Sequence, residues 1–280
     1  MASLPGGPAA LPTLICPACR HVTADGLHVR TLDAVDGLLR CACGAAHPVV
    51  DGVPLLFRDL DGWLAGEGAE ALRRSDLPSA VTERIVAGAG GALARNDALV
   101  DVYARSRDGE LQDWLRRVMG ALSGDVLEMG AGLGACERSD VVALDHNLAL
   151  VRRHPGRRVC GDAADPPFLP EQFDAVVLAN VLDSCADPGL VLGQANALLK
   201  PGGTLVVTCA YAFQDAITPR SRRFAPSDLA AALDGRGALG GYGLPHRLVE
   251  DVDAIPWPLR VSGRLRHVHA VHALISRKAG

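Results

Sequence analysis

The sequence predicts an α/β protein: a parallel sheet with crossover helices, preceded by a small β module and a helical segment. Beyond Gly124, apolar strand-like runs alternate with helical patterns, which is typical of a chain built from βαβ units. Between 59 and 123, apolar residues recur at helical spacing, and before 58 short apolar runs alternate with turn residues. The predicted divisions are therefore 1–58, 59–123 and 124–280.

Composition narrows the classes of partner. The 280 residues carry a formal net charge of -4, which gives no general attraction to a phosphate backbone, so a nucleic-acid partner is not favoured. The N-terminus has no pattern of a secretory signal, and no apolar run approaches the roughly 20 residues that span a bilayer. We therefore expect a cytoplasmic protein without a membrane partner, in which the cysteines are thiols or metal ligands.

The β module contains two close cysteine pairs, an arrangement typical of a tetrahedral zinc site. These are Cys16, Cys19, Cys41 and Cys43. A small β core has reason to bind a metal, and four protein ligands would make the zinc structural. The single residue between the second pair strains simultaneous ligation, so His47 and His21 are alternative ligands.

Periodicity predicts the elements that follow. The helical stripe, which should face a core, consists of Leu111, Trp114, Leu115, Val118, Met119 and Leu122. The predicted strands are Val126–Met129, Val141–Leu144, Arg158–Cys160, Phe173–Ala179, Thr204–Cys209, Arg247–Ile255 and His267–Ser276. A helix is expected over Asp187–Lys200, since Pro188 lies just inside its start.

Glycines and acids follow the first strands of this region. Glu128 lies in the first strand, and Gly130, Gly132 and Gly134 follow it, which allows a sharp turn and a close approach to a ligand. Asp145 ends the second strand, where a carboxylate can accept hydrogen bonds from ribose hydroxyls. Asp162 follows the third strand and Asn180 the fourth, so these side chains should meet at one sheet edge.

These motifs together resemble class I methyltransferases, from about Gly124 to the C-terminus. The resemblance implies a Rossmann-like, seven-stranded sheet with an antiparallel last strand that binds S-adenosylmethionine. The implied cofactor-binding residues are Glu128, Gly130, Ala131, Gly132, Gly134, Asp145, His146, Asp162, Ala163 and Asn180. The β module resembles the zinc-ribbon activators of tRNA methyltransferases and the N-terminal ribbon of some rRNA methyltransferases.

The segment after Gly134 departs from that family. Residues 135–140 are too few for the usual first crossover helix, so we expect the helix to be reduced to about one turn. Either another segment, such as the helical region before Gly124, covers that side of the cofactor, or cofactor binding is weakened. A dinucleotide-binding dehydrogenase is a poorer match, since the Gly-x-Gly-x-Gly spacing lacks its extra residue.

Candidate catalytic residues follow the fourth and fifth strands: Asp183, Tyr211 and Asp215. Tyr103 is a candidate for a lid over the pocket. His267, His269 and His272 are expected to be structural, since the first two share a strand face that the third does not. The leading hypothesis is methyl transfer to a small molecule, and the alternatives are an RNA methyltransferase and a non-catalytic binding module.

Overall fold

The computed structural model describes residues 11–66, 77–89 and 97–280. Within these ranges it is a mixed α/β protein built on one large sheet, which confirms the predicted fold class. The helices are α1 (Leu60–Gly66), α2 (Ser79–Ala89), α3 (Asp97–Ala104), α4 (Glu110–Ala121), α5 (Leu148–Val151), α6 (Pro188–Leu198) and α7 (Pro226–Leu233). The strands are β1 (His21–Thr23), β2 (Gly26–His28), β3 (Asp33–Val35), β4 (Leu38–Arg40), β5 (Ala46–Val50), β6 (Val53–Leu56), β7 (Val126–Met129), β8 (Val142–Asp145), β9 (Arg157–Gly161), β10 (Phe173–Ala179), β11 (Leu199–Cys209), β12 (Ala238–Leu239), β13 (Tyr242–Gly243), β14 (His246–Arg260) and β15 (Arg266–Lys278).

Seven strands form the sheet that the sequence predicts. Their order is β9-β8-β7-β10-β11-β15-β14, with β7 to β11 parallel to one another. The last strand, β15, is antiparallel to both of its neighbours. The central strand β7 buries all four of its residues, as expected for a strand covered on both faces.

The β module continues this sheet. Strand β6 pairs in parallel with β9, placing Leu55 opposite Cys160 and Leu56 opposite Gly161. Strands β5, β4 and β3 then extend the sheet in antiparallel fashion. The residues of β6 are buried, so the module shares its hydrophobic core with the sheet that follows. The sequence did not predict this pairing.

Helix α4 carries the predicted apolar stripe into the core. Leu111, Trp114, Leu115, Val118 and Met119 are all buried and pack against β7 and the strands beside it. The Trp114 indole N–H donates to Glu250 of β14 at 2.8 Å. The helix is thereby fixed across one face of the sheet, next to the shortened segment. Among the helices of the described ranges, none combines the length and the apolar character needed to cross a bilayer.

Candidate active site

The carboxyl ends of the parallel strands meet at one sheet edge. The Gly130 and Ala131 amides donate to Leu144 O at 2.7 and 3.0 Å, which ties the end of β7 to the end of β8. The Asn180 amide donates to Thr208 O at 2.9 Å, which does the same for β10 and β11. We call this edge the strand-end site; its residues are Gly130–Gly134, Asp145, Asp162, Asn180, Asp183 and Tyr211.

The glycine loop is closely packed at Gly130 and Gly134 and leaves open space at Gly132. Gly130, Gly132 and Gly134 have φ values of 68°, 55° and 98°, in the left-handed region that favours glycine. A Cβ on Gly130 would lie 2.4 Å from the Val181 side chain, and one on Gly134 would lie 2.8 Å from His154. A Cβ on Gly132 would meet nothing within 4 Å. The loop therefore packs tightly at both ends and forms an open cradle at Gly132.

Glu128 supports this loop from the interior. Its side chain is 2% exposed, and its Oε2 accepts from the Ala135 amide at 3.1 Å. His154 lies 3.2 Å away through Nε2, and its Nδ1 accepts from the Gly156 amide, so the Nε2 proton is donated to Glu128. The buried carboxylate thus fixes the loop at Ala135.

The shortened segment after Gly134 has no helix, and neighbouring elements hold it instead. Gln112 of α4 donates to Ala135 O, and Arg138 donates to Leu122 O at 3.0 Å. Arg107, between α3 and α4, donates to Leu133 O at 2.8 Å. Side chains of the helical segment before Gly124 therefore hold the backbone on both sides of Gly134.

The two strand-end acids are positioned by backbone amides. Asp145 accepts from the Gly132 amide through Oδ2 and from the Asn147 amide through Oδ1, each at 2.7 Å. Asp162 accepts from the Ala164 amide at 2.8 Å. Both side chains are partly exposed. The structure therefore places Asp145 directly beside the open cradle and Asp162 one strand further along.

The predicted neighbours of these acids line the same edge. The exposed ring of His146 lies edge-on to Phe57, with 5.2 Å between centroids, and its carbonyl accepts from the Trp63 indole at 3.1 Å. Asn180 has a φ of 55°, and its Oδ1 accepts from the Thr208 hydroxyl at 3.1 Å. Ala163 is partly buried against the core.

The three candidate catalytic residues separate into two groups. Asp183 is 4% exposed and accepts from the Ala212 amide at 3.0 Å, so it lies beside the exit of β11 together with Tyr211. Asp215 differs from them: its side chain is 65% exposed and ion-paired with Arg220 and Arg223. Hydrogen bonds from these arginines lower the pKa of Asp215.

Tyr103 of α3 packs beside the glycine loop. Its ring is stacked on Trp257 with 6.4 Å between centroids. Burial, and then the negative charges of Asp145 and Asp183, raise the pKa of Tyr103. The ring also packs, with Leu133 of the glycine loop, against Ala149 and Leu150 of α5.

The sequence match agrees with this geometry. Residues 119–207 match the family model described as a methyltransferase domain, and they run from the end of α4 into β11 and include the glycine loop and the strand-end acids. Residues 119–207 form a methyltransferase domain.

Relatives of this methyltransferase domain carry related descriptions. The chain is 35% identical to a demethylmenaquinone methyltransferase of Renibacterium salmoninarum over 35% of this chain and 48% of the relative. It is 29% identical to one of Paenarthrobacter aurescens over 45% of this chain and 54% of the relative. The chain thus spans about half the length of the curated relatives it matches.

Solved structures with a similar outline have lower identity. One is a SAM-dependent methyltransferase, described as a possible histamine N-methyltransferase, of Thermotoga maritima: it is 18% identical, and the match covers 64% of this chain and 96% of that chain with a TM-score of 0.44. Another, of Methanosarcina mazei, is 16% identical, and the match covers 58% and 97% with a TM-score of 0.41.

The four predicted metal ligands, which precede the methyltransferase domain in the sequence, lie close together in the structure. The four cysteine sulfurs lie within 4.8 Å of one another. Cys16 and Cys43 are 3.8 Å apart, and Cys19 and Cys41 are 3.7 Å apart. Tetrahedral zinc with Zn–S bonds of about 2.3 Å places sulfurs about 3.8 Å apart, so the cluster fits zinc.

The two alternative ligands are placed outside this sulfur cluster. His47 Nε2 lies 3.7 Å from Cys16 Sγ, and burial lowers the pKa of His47 to about 4. A neutral imidazole at this distance can donate to a thiolate. The exposed His21 hydrogen-bonds to the Cys19 carbonyl through Nδ1.

Several residues at the edge of the methyltransferase domain were missed by sequence reasoning. Phe57 of the β module and Trp63 of α1 reach His146, and Arg107 reaches the glycine loop. No local motif marks them, since each acts through a contact with a distant part of the chain. The only available signal was the shortness of the segment after Gly134.

Proposed function

We propose that the chain binds S-adenosylmethionine at the strand-end site and transfers its methyl group to a small-molecule acceptor. The observation that carries the proposal is the open cradle at Gly132, flanked by Asp145 inside a methyltransferase domain. When bound, the cofactor supplies an electrophilic methyl group on a sulfonium. The chain must bind the cofactor, orient the acceptor and exclude water.

Each part of the cofactor has a matching group. Asp145 is proposed to accept from the ribose hydroxyls, and Asp162 with Ala163 to contact the adenine. The glycine loop and Asn180 would border the amino-acid part, and His146 would flank the nucleoside. Glu128 is proposed to act indirectly, because its carboxylate is buried and its Oε2 accepts from the Ala135 amide and from His154 beneath the loop.

The acceptor is proposed to lie between Asp183, Tyr211 and the Tyr103–Trp257 pair. Asp183 holds the Ala212 amide and thereby fixes the turn that presents Tyr211. The relatives named for demethylmenaquinone support a small organic acceptor. Asp215 is no longer proposed as catalytic, since its carboxylate faces solvent and two arginines.

Calorimetry with S-adenosylhomocysteine tests cofactor binding. Asp145→Asn removes one charged hydrogen-bond acceptor, which is worth about 1.5–3 kcal/mol, so we expect roughly 10- to 100-fold weaker binding. Asp113→Asn, on the exposed face of α4, is the matched control and should bind like the wild type. Absence of binding by the wild type at millimolar ligand would support the non-catalytic alternative. RNA binding that weakens steeply with salt would instead favour the RNA alternative.

We further propose that Cys16, Cys19, Cys41 and Cys43 hold one structural zinc ion. The sulfur spacings support it, and four thiolates leave no position for water. Metal analysis should find about one zinc per chain, and Cys41→Ser should lose it. Cys185→Ser, in the methyltransferase domain, should keep it. A wild-type chain purified without zinc that neither takes up zinc nor changes its melting temperature with it would contradict the proposal.

A further inference from the structure

Three side chains form a hydrogen-bonded row that starts at the strand-end site. The Tyr211 hydroxyl lies 2.7 Å from His272 Nδ1, and His272 Nε2 lies 2.7 Å from Asp251 Oδ1. His272 is 6% exposed and Asp251 is 44% exposed. The row therefore runs from a half-buried phenol through a buried imidazole to a carboxylate in contact with solvent. We call it the Tyr211–His272–Asp251 row.

Register and backbone conformation create this row. His272 of β15 pairs with Cys209, the last residue of β11, and Asp251 of β14 pairs with Leu274, on the same face of the sheet as His272. Tyr211 follows β11 with a φ of 54°, a left-handed conformation that is costly for tyrosine. A strained residue whose side chain is held by a buried hydrogen bond suggests a functional constraint.

The row fixes where its protons lie. Because the Asp251 carboxylate only accepts, His272 must carry its proton on Nε2, and its Nδ1 must then accept from the Tyr211 hydroxyl. Burial, and then the neighbouring Cys209 and Asp251, raise the pKa of Tyr211, so the phenol stays protonated at neutral pH. The hydroxyl proton points to His272, which leaves the lone pairs of the Tyr211 oxygen to accept from a ligand.

The surroundings of Tyr211 are aromatic. Its ring lies edge-on to Phe224 at 5.7 Å and Phe213 at 6.4 Å, and those two rings lie 5.2 Å from each other. The carboxylate of Asp183 is tied to the next residue, Ala212. The ring of Tyr211 is therefore flanked by apolar rings, and an acceptor bound against these rings would be a planar molecule with a polar edge.

We propose that Tyr211 is the catalytic residue that relays the proton of an acceptor O–H or N–H group to His272, and that Asp251 is the positioning residue that holds the His272 tautomer. The inference rests on the proposed function and adds the substrate class to it. As the oxygen or nitrogen lone pair of the acceptor bonds to the methyl carbon, its proton passes to Tyr211 Oη. The Tyr211 proton passes to His272 Nδ1, which leaves an imidazolium beside Asp251. The carbon–sulfur electron pair stays on sulfur, and the proton later leaves to solvent.

The first test reads the tautomer and needs no methyl transfer. Nitrogen NMR of the full chain, with the His272 signals assigned through His272→Gln, should show the proton on Nε2. In Asp251→Asn, the amide can donate to Nε2, which moves the histidine proton to Nδ1 and turns the Tyr211 hydroxyl toward the site. Asp253→Asn, a neighbouring exposed carboxylate of β14, is the control and should leave the tautomer unchanged. A proton on Nδ1 in the wild type would overturn the proposal.

The second test compares variants in methyl transfer to three probes with O–H or N–H groups: 1,4-naphthohydroquinone, catechol and imidazole. Tyr211→Phe and Asp251→Asn should lower kcat about 100-fold, with KM within threefold. Asp251→Ala should be more active than Asp251→Asn, because water can replace a carboxylate but cannot undo a reversed tautomer. A purely structural role predicts the opposite order.

The outcomes separate this inference from the proposed function. If the wild type does not bind S-adenosylhomocysteine, the proposed function is wrong, and the inference falls with it. If it binds but methylates none of the three probes, the substrate class is wrong. If it methylates a probe and Asp251→Asn is as active as Asp253→Asn, the role of the row is wrong.

Discussion

Arg20 and Arg58 bind the same carboxylate in different surroundings, which allows a sharp comparison. Arg20 donates to Asp165 and to Pro166 O, and its side chain is 11% exposed. Arg58 donates to Asp165 at 2.9 Å, and its side chain is 51% exposed. Asp165 follows the strand-end acid Asp162, and its amide donates to the Asp162 carbonyl at 3.1 Å. The β module is thereby joined to the proposed adenine loop.

Burial sets the expected magnitudes. Arg20→Ala removes charged hydrogen bonds from a mostly buried position, so we expect the free energy of unfolding to fall by about 2–3 kcal/mol. Arg58→Ala removes a solvent-screened pair and should cost about 0.5 kcal/mol. Without Arg20, the loop that contains Asp165 should be less ordered in the free protein. Ordering one residue again on binding costs about 1–2 kcal/mol of conformational entropy, so Arg20→Ala should also weaken S-adenosylhomocysteine binding roughly tenfold.

Urea unfolding and calorimetry on the zinc-loaded chain measure both quantities. Arg20→Lys is a further control: it keeps the charge but cannot reach two acceptors in one plane, so its stability should lie between the wild type and Arg20→Ala. Equal losses for the two alanine variants would refute the argument from burial. Unchanged cofactor affinity in Arg20→Ala would refute the coupling between the β module and the loop.

Three further predictions concern the interior. His154→Ala leaves the buried Glu128 without its second hydrogen-bond donor and should lower the free energy of unfolding by about 3 kcal/mol. The control, His267→Ala, should lower it by less than about 0.5 kcal/mol. Urea unfolding measures both variants. Burial lowers the pKa of His246 to about 4 from 6.5, so the unfolded state binds more protons between these values, and stability falls as pH falls. Relative to pH 7, the loss at pH 5 should be about 2 kcal/mol and absent from His246→Gln. Gly132→Ala should lower stability by only about 1–2 kcal/mol, from the left-handed φ, and should weaken S-adenosylhomocysteine binding because its Cβ would enter the open cradle. Gly130→Ala should lower the melting temperature further, because its Cβ would also clash with Val181.

Most of the fold follows from local pattern. The strands β7 and β10 have the predicted bounds, and the others differ at their ends or run longer, notably β14, which reaches Arg260. Strand ends are set by hydrogen bonds to neighbours, which periodicity does not report. The strand-end acids were predictable for a different reason: in a parallel sheet, consecutive strands must end at the same edge.

The contacts that complete the site were not predictable in this way. Arg107 is held at the glycine loop by a carbonyl 26 positions away, and the partners in the Tyr211–His272–Asp251 row are separated by 61 and 21 positions. His272 was expected to be structural, because it does not share the strand face of His267 and His269. The sequence shows on which face of a strand a side chain lies, but it does not show which distant side chain contacts it there. Two bulges shift the register between β14 and β15, and no local sequence motif predicts them.

The sequence by itself determined the order of the elements, the glycine turn, the acids at the strand ends and the paired cysteines. These depend on residue type and on spacing within about ten positions, where backbone geometry leaves few choices. Only the tertiary structure decided that β6 joins the sheet at β9, that α4 holds the shortened segment and Arg107 the glycine loop, and that Asp215 is exposed while Tyr211 contacts His272. Such pairings are long-range, and their free energy comes from burial and hydrogen bonds that form only after the chain has closed upon itself.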